Sequence, residues 1–206
     1  MNFVSLNYYS ISLLIGAFTA VISGLIVFLN NKQKGENQTW FAMTISTAVW
    51  SSAYFVMTAV TDKSHAEIGN LVLHYAAILI PLFYLLLVLI ITDTFKKNKL
   101  PFVFVTFLSV VLIIINPNPL FVSDVVPKVG FNFAPVPGPL YIYFFIYFFG
   151  LVSYGIGVCL YKIRKTESVK DRMRYIYTVL FTLAASVGGG SVFMTTFFPQ
   201  IPPYPL

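Results

Sequence analysis

One histidine and two stripes of aromatic and hydroxyl side chains are the most chemically versatile groups in the long apolar stretches of this sequence. His74 is followed on one predicted helix face by Ala77, Pro81 and Tyr84, so an imidazole, a proline kink and a phenol share a stripe. Two interpretations of His74 stay open: contact with a ligand, or a hydrogen bond to a neighbouring helix, which is the commoner use of a lone histidine in such a segment.

Two further stripes recur at helical spacing: Thr47, Ser51, Tyr54 and Thr58 with Trp50 beside them, and Tyr143, Tyr147, Gly150 and Tyr154. Stripes of this kind could converge on a small-molecule pocket that is apolar with a few polar points. The predicted ligand-binding residues are Trp50, Tyr54, His74, Tyr84, Tyr143 and Tyr147. The alternative is helix packing combined with an interfacial aromatic belt, which Tyr141, Tyr143 and Trp40 would suit.

The apolar stretches lack the groups that most membrane chemistry requires. No Asp, Glu, Lys or Arg falls inside them, which disfavours an ion-coupled transporter and a retinal protein with a Schiff-base lysine. Protease and phosphate-loop motifs are absent. His65 and the single cysteine, Cys159, complete no metal site with His74. We therefore expect no enzyme activity, no metal and no cofactor in this chain.

The composition indicates a membrane protein. Of the 206 residues, 58% are hydrophobic and only 10% are charged, which is more apolar surface than a soluble core of this size could bury. Six segments are long enough to cross a bilayer as helices: residues 8–29, 39–60, 68–91, 100–115, 139–161 and 175–198. The sequence predicts an all-α, polytopic bundle that forms a single domain over residues 1–206.

The basic residues predict the orientation of the spans. All but Lys63 and Lys128 of the 13 lysines and arginines follow the first, third or fifth span. Positively charged loops stay in the cytoplasm, so we expect the N-terminus and residues 199–206 outside. The same segregation of charge argues against a nucleic-acid partner.

The longest predicted external connection, residues 116–138, is rich in proline and carries several apolar residues. Two interpretations are equally favoured: a short hairpin across the mouth of the bundle, or an interfacial loop whose phenylalanines enter the headgroup region.

Taken in order, several short motifs resemble the N-terminal seven-helix sensor region of bacterial histidine kinases, which also precedes diguanylate cyclases and other output domains. They are AVWSSAY at residues 48–54, NLVLHYAAILIPLFY at 70–84, Asn-Pro at 116–117, Gly-Pro at 138–139, RMRY at 172–175, and GGGSVF at 188–193 with the prolines that follow. The resemblance covers nearly the whole chain. Met173 departs from the family, which often has a glutamine there.

The resemblance implies a membrane-embedded sensory input module of a signal-transduction protein. It also implies a seventh helix after Leu206 and an output domain, neither of which this sequence contains. Pro81 and the glycines Gly188, Gly189 and Gly190 are then a hinge or a close-packing site. We expect a ligand on the outer side to favour one packing of the helices.

Two other classes of function stay open: a small transporter or permease subunit, and a structural membrane protein. The lack of internal repeats argues against the transporter. The candidate partners are the lipid bilayer, a small-molecule ligand, a cytoplasmic output domain or kinase, and a second copy of the chain in a homodimer.

Overall fold

The computed structural model describes residues 7–128 and 130–198 of the chain. Its elements, in chain order, are α1 (Tyr8–Asn30), α2 (Gly35–Ala59), α3 (Lys63–Ile91), α4 (Lys99–Ile115), β1 (Val122–Lys128), β2 (Phe131–Pro137), α5 (Tyr141–Lys165) and α6 (Val169–Phe197). Six helices confirm the all-α class, and each overlaps one predicted span. The predicted end of the chain, residues 199–206, lies outside the described residues.

Three of the described helices, α1, α3 and α5, are long and apolar enough to cross a membrane by length and composition, and α4 is apolar but shorter. Crossing by α2, α4 and α6 stays a prediction.

Polar side chains cap the backbone N–H groups at the start of two of these helices. At α1, Asn7 and Ser10 cap each other's backbone N–H groups, and at α3 the Asp62 side chain accepts from the Ser64 N–H.

The bundle is organised around α3. Helix α1 packs on α2 and α2 on α3; α4 and α5 also pack on α3, and α6 packs on α5. In the most apolar stretch of α3, 67% of residues are buried, against 17% in α1. Helix α3 is therefore the core, and α1 presents most of its surface to lipid.

Glycines allow close contact at three of these seams. A β-carbon on Gly24 of α1 would lie 2.2 Å from Thr44 Oγ1 of α2, and one on Gly69 of α3 would lie 3.0 Å from the Ala53 carbonyl. At the third seam, a β-carbon on Gly155 of α5 would lie 2.5 Å from Cε1 of Tyr84. Gly24 thus lets α1 pack closely on α2, as small residues permit in membranes.

The long external connection folds as an antiparallel hairpin, so of the two interpretations of this segment the hairpin is the one observed. Val125 pairs with Pro135 and Val126 with Ala134, with irregularities on either side. Prolines lack the N–H that a ladder needs and are tolerated at bulges and edges. The hairpin lies on the same end of the bundle as the start of α3, because Asn132 Nδ2 donates to the Ala59 carbonyl at 2.8 Å.

At the opposite end, an ion pair joins two helices that are distant in sequence. Arg174 of α6 bonds Glu36 at the start of α2, and Lys34 lies 3.0 Å from the same carboxylate. These hydrogen bonds and charges outweigh burial and lower the pKa of Glu36, although desolvation is the largest single influence and acts to raise it. The pair fixes the inner end of α6 relative to α2.

Replacing Gly155 by alanine should destabilise the bundle, because the added methyl group overlaps the Tyr84 ring. We expect a loss of about 1–3 kcal/mol, as for overpacking in a tight core, read as a lower unfolding temperature in detergent. Gly157→Ala is the matched control: a β-carbon there meets no described atom within 4 Å, and alanine favours the helix by roughly 0.5–1 kcal/mol. Equal behaviour of the two variants would contradict close packing at this seam.

Candidate functional site

A polar junction forms around His74 in the half of α3 that lies nearest the hairpin. Its Nδ1 lies 2.9 Å from the Asn70 carbonyl, and its Nε2 lies 3.3 Å from the hydroxyl of Tyr141. A carbonyl only accepts, so Nδ1 carries the hydrogen and donates; in the neutral imidazole, Nε2 then accepts from Tyr141. This contact joins α3 to the first residue of α5.

Aromatic rings enclose this histidine. Phe121, Tyr141 and Phe144 place their ring centroids 5.4, 5.5 and 5.9 Å from the imidazole, each nearly perpendicular to it. Such edge-to-face contacts are favourable beyond simple burial. His74 retains 1% of its surface exposed, so a ligand can reach it only if these side chains move.

The junction also includes α6. The Tyr141 hydroxyl lies next to the hydroxyl of Thr196, a buried residue in the last turn of α6. Thr196 Oγ1 donates to its own Val192 carbonyl at 2.9 Å. Three helices, α3, α5 and α6, thus meet through one histidine, one tyrosine and one threonine. We call this cluster the outer junction because the predicted topology puts it on the outer side.

A second polar contact lies deeper in the bundle. The Tyr147 hydroxyl of α5 donates to the Ile78 carbonyl of α3 at 3.0 Å and lies 2.7 Å from Ser109 Oγ of α4. Ser109 Oγ also lies 2.9 Å from the Val105 carbonyl, and each hydroxyl has a single hydrogen, so Ser109 donates to Tyr147 only when it releases Val105. Pro81 has no N–H to donate to the Ala77 carbonyl four residues earlier, so Tyr147 contacts α3 next to the carbonyl that loses its helical hydrogen bond.

The six predicted ligand-binding residues do not gather in one place. Trp50 and Tyr54 lie together, with ring centroids 5.6 Å apart, and Tyr54 also contacts Phe131 of the hairpin. Farther inward, Tyr84 lies against Gly155; its buried hydroxyl has no partner among the described residues. The hydroxyl of Thr182 is nearby but donates to Thr178.

Tyr143 lies at the edge of the predicted α5 stripe. It is 62% exposed, whereas the buried face of α5 begins with Tyr141 and Phe144 before Tyr147. At 100° per residue, Tyr143 is about 40° around the helix from Tyr147, which is enough to place it outside the face that packs on α3. For all six residues, binding of a ligand stays a prediction.

Sequence reasoning missed several residues of the junctions: Asn70, Ser109, Phe121, Phe144 and Thr196. Tyr141 was assigned only to the interfacial belt. One signal could have found it, since a buried histidine needs a donor or acceptor from a neighbour, and Tyr141 begins the helix directly after the external connection. Asn116, part of the Asn-Pro motif, also has a structural role: its Nδ2 donates to the Leu71 carbonyl of α3 at 2.9 Å.

The predicted hinge residues lie in two different environments, one buried and one with space around it. Pro81 is buried within α3. In α6 the helix continues through Gly188, Gly189 and Gly190, and among the described residues a β-carbon on Gly188 or Gly189 would meet no atom within 4 Å. Close packing therefore does not explain these two glycines in this arrangement, and a hinge stays the prediction.

Charged contacts hold the hairpin over the outer junction. Lys63 Nζ lies 2.7 Å from Asp124 Oδ1 of β1. The hydrogen bond with Lys63 lowers the pKa of Asp124, and the same bond raises the pKa of Lys63. A lowered carboxyl pKa means that this contact is present at neutral pH and is lost in acid, as the pH falls through the pKa of the folded state. Asn7 adds a bond from its Nδ2 to the Gly130 carbonyl at 2.9 Å.

An apolar groove of about 480 Å³ lies between α1, α2 and α3, and its lining includes Ala48, Ser52 and Gly69. None of the six predicted ligand-binding residues lines it. Within residues 7–128 and 130–198, no group of three or more His, Cys, Asp or Glu side chains could hold a metal. The outer junction is thus the strongest candidate site.

Comparison with known families agrees with the fold. Residues 12–206 match the family described as the N-terminal 7TM region of histidine kinase. The chain belongs to this family. No curated protein and no solved structure matches it. Membership makes the chain a multi-pass membrane protein and a sensory input module of the histidine kinase type, and it confirms the resemblance carried by the short motifs.

The two tyrosines of α5 that the sequence placed on one stripe should differ in their effect on stability. Tyr147→Phe removes a buried hydroxyl with partners on α3 and α4, and we expect a loss of about 1 kcal/mol. Tyr143→Phe should change the free energy of unfolding by less than about 0.5 kcal/mol because its side chain is exposed. Thermal unfolding in detergent measures both, and a larger effect at Tyr143 would contradict the described packing.

Proposed function

We propose that this chain senses a small ligand from the outer side of the membrane, and that the outer junction is where binding changes the packing of the helices. The observation that carries the proposal is the hydrogen bond between His74 and Tyr141. It joins the central helix to α5 beneath a hairpin that is held by apolar packing of Val125, Phe131 and Phe133 and by polar contacts at its surface. A ligand that competes for either partner would weaken one end of the contact between these two helices.

The free energy of the hydrogen bond between His74 and Tyr141 is small enough for a ligand to shift the bundle between two packings. A hydrogen bond between helices in a membrane contributes about 0.6 kcal/mol on average, and a ligand shifts an equilibrium by its difference in affinity for the two states. A ligand therefore needs only a modest difference in affinity between the two states to release Tyr141 from His74. The neighbouring hydroxyl of Thr196 offers Tyr141 a second partner, so the cost of leaving His74 is partly offset.

The predicted topology places the outer junction on the external side, with the N-terminus outside. Lys96, Lys97 and Lys99 would then face the cytoplasm, together with the basic residues between α5 and α6. We assign no catalytic step to the described residues; kinase activity would belong to the output part of a longer protein. No described contact favours transport or a purely structural role.

Cysteine labelling in intact cells tests the orientation. In a Cys159→Ala background, Ser123→Cys on the exposed face of β1 should react with a membrane-impermeant maleimide added outside. Lys97→Cys should react only after permeabilisation, because positively charged loops stay inside. The reverse pattern would place the junction on the cytoplasmic side and would overturn sensing from outside.

A thermal-shift screen of small molecules with the purified chain tests ligand binding. We expect a ligand whose stabilisation is lost in Tyr141→Phe and His74→Ala and reduced in Trp50→Ala. The matched control is His65→Ala, since His65 is exposed and bonds only the nearby Asp62 among described partners. Stabilisation that persists unchanged in the first three variants would exclude the outer junction as the site. Tyr141→Phe keeps the ring, so it separates loss of the hydrogen bond from loss of folding.

A further inference from the structure

We propose that the ends of α5 and α6 farthest from the hairpin bind the headgroup of an anionic phospholipid, such as phosphatidylglycerol. This inference goes beyond the proposed function and does not depend on it, because it concerns the end of the bundle opposite the outer junction. The site, which we call the basic cluster, consists of four cationic side chains: Lys162, Arg164 and Lys165 in the last turn of α5, and Arg172 near the start of α6.

A hydrogen bond brings the basic side chains of the two helices together. Arg172 Nε donates to the Ile163 carbonyl at 3.3 Å, so its guanidinium lies against the last turn of α5, where Lys162 and Arg164 flank Ile163 in the sequence. The connection between the helices is only residues 166–168, which keeps the two ends close. A guanidinium has five N–H donors in a planar fork, and its terminal nitrogens can bond two phosphate oxygens at once.

The charges of the basic cluster are not balanced by the protein. Within residues 7–128 and 130–198, the ion pairs at this end of the bundle join Glu36 to Lys34 and to Arg174, and none includes a member of the cluster. Glu167 and Asp171 are near in sequence but form no ion pair with these cations in the described part of the chain. Like charges held close together repel, so an anion placed between them would stabilise this arrangement.

The depth of the cluster selects a lipid headgroup as that anion. Helix α5 is long and apolar enough to cross a membrane, and its predicted span ends at Tyr161, which is 62% exposed. A helix rises 1.5 Å per residue, so Lys165 lies about 6 Å beyond Tyr161. The polar layer on each side of a bilayer is about 5–7 Å thick, and exposed tyrosines such as Tyr161 and Tyr177 are typical of it. The basic cluster therefore lies at the level of the lipid phosphates.

The sign of the cluster distinguishes between lipid classes. The headgroup of phosphatidylglycerol carries one net negative charge, whereas that of phosphatidylcholine adds a quaternary ammonium to its phosphate. The ammonium would bring a further positive charge next to four unpaired cations, so we expect the anionic lipid to bind more tightly. Attraction of this kind is strongest at low ionic strength.

Native mass spectrometry of the full chain in a neutral detergent tests the site. Titration with dioleoylphosphatidylglycerol gives the dissociation constant of the first bound lipid, and dioleoylphosphatidylcholine should bind more weakly. In Arg164→Gln/Arg172→Gln, which removes two of the four charges, the affinity for the anionic lipid should fall about tenfold. Lys162→Gln/Lys165→Gln leaves the Arg172 hydrogen bond in place and should also weaken binding, so the result does not depend on one variant.

The matched control removes two exposed lysines from the same end of the bundle. Lys32→Gln/Lys97→Gln loses the same charge outside the basic cluster, and it should bind the anionic lipid as the wild type does. An equal loss in this control would mean diffuse attraction to the whole basic surface and would overturn the site, as would equal affinity for the two lipids. Displacement of the lipid by inorganic phosphate at equal concentration would overturn the lipid headgroup as the occupant.

Discussion

A hydroxyl or imidazole inside a bilayer has no water to bond, so it must find its partner on another helix or on its own backbone. In this chain that constraint falls mainly on the seam between α3 and α5. Tyr141 satisfies His74, and Tyr147 satisfies a carbonyl of α3 close to Pro81. Farther inward, where Gly155 meets Tyr84, the seam becomes a close van der Waals contact. Because α4 packs on α3 and α6 packs on α5, the position of both helices depends on this seam.

The seam shows what could be predicted from sequence. The length of each apolar segment and the charges of the loops beside it located all six helices. A bilayer sets both requirements for each spanning segment separately. The polar stripe of α3 was also evident, since Pro81, Tyr84 and His74 recur on one face. The partner of His74 depends instead on where the chain re-enters the bundle after the hairpin. That register placed Tyr141 inward and Tyr143 outward, and periodicity within α5 alone did not distinguish them.

The glycines that allow close helix packing could not be identified from the sequence. The three consecutive glycines of α6 drew attention as a possible packing motif, yet the close contacts between helices occur at Gly24, Gly69 and Gly155, none of which adjoins another glycine. Whether a glycine allows close approach depends on the residue opposite it, such as Tyr84 across from Gly155. A single sequence does not contain that information. The hairpin was likewise one of two equally favoured interpretations of residues 116–138, because a proline-rich sequence indicates turns more clearly than it indicates pairing of strands.

The packing of α6 gives its glycines a physical context. Its inner end is held by Arg174 on Glu36, and its outer end by Phe193 and Thr196, which are buried against α5 and the hairpin. Between these ends, residues 180–190 include no buried position. A helix held at two ends and loosely packed between them can tilt or bend at low cost, and glycine lowers that cost further because it stabilises the helix least. A change in the partner of Tyr141 would therefore let the end of α6 near Thr196 tilt or bend while the Arg174–Glu36 ion pair holds its other end on α2, without any need to repack the core around α3.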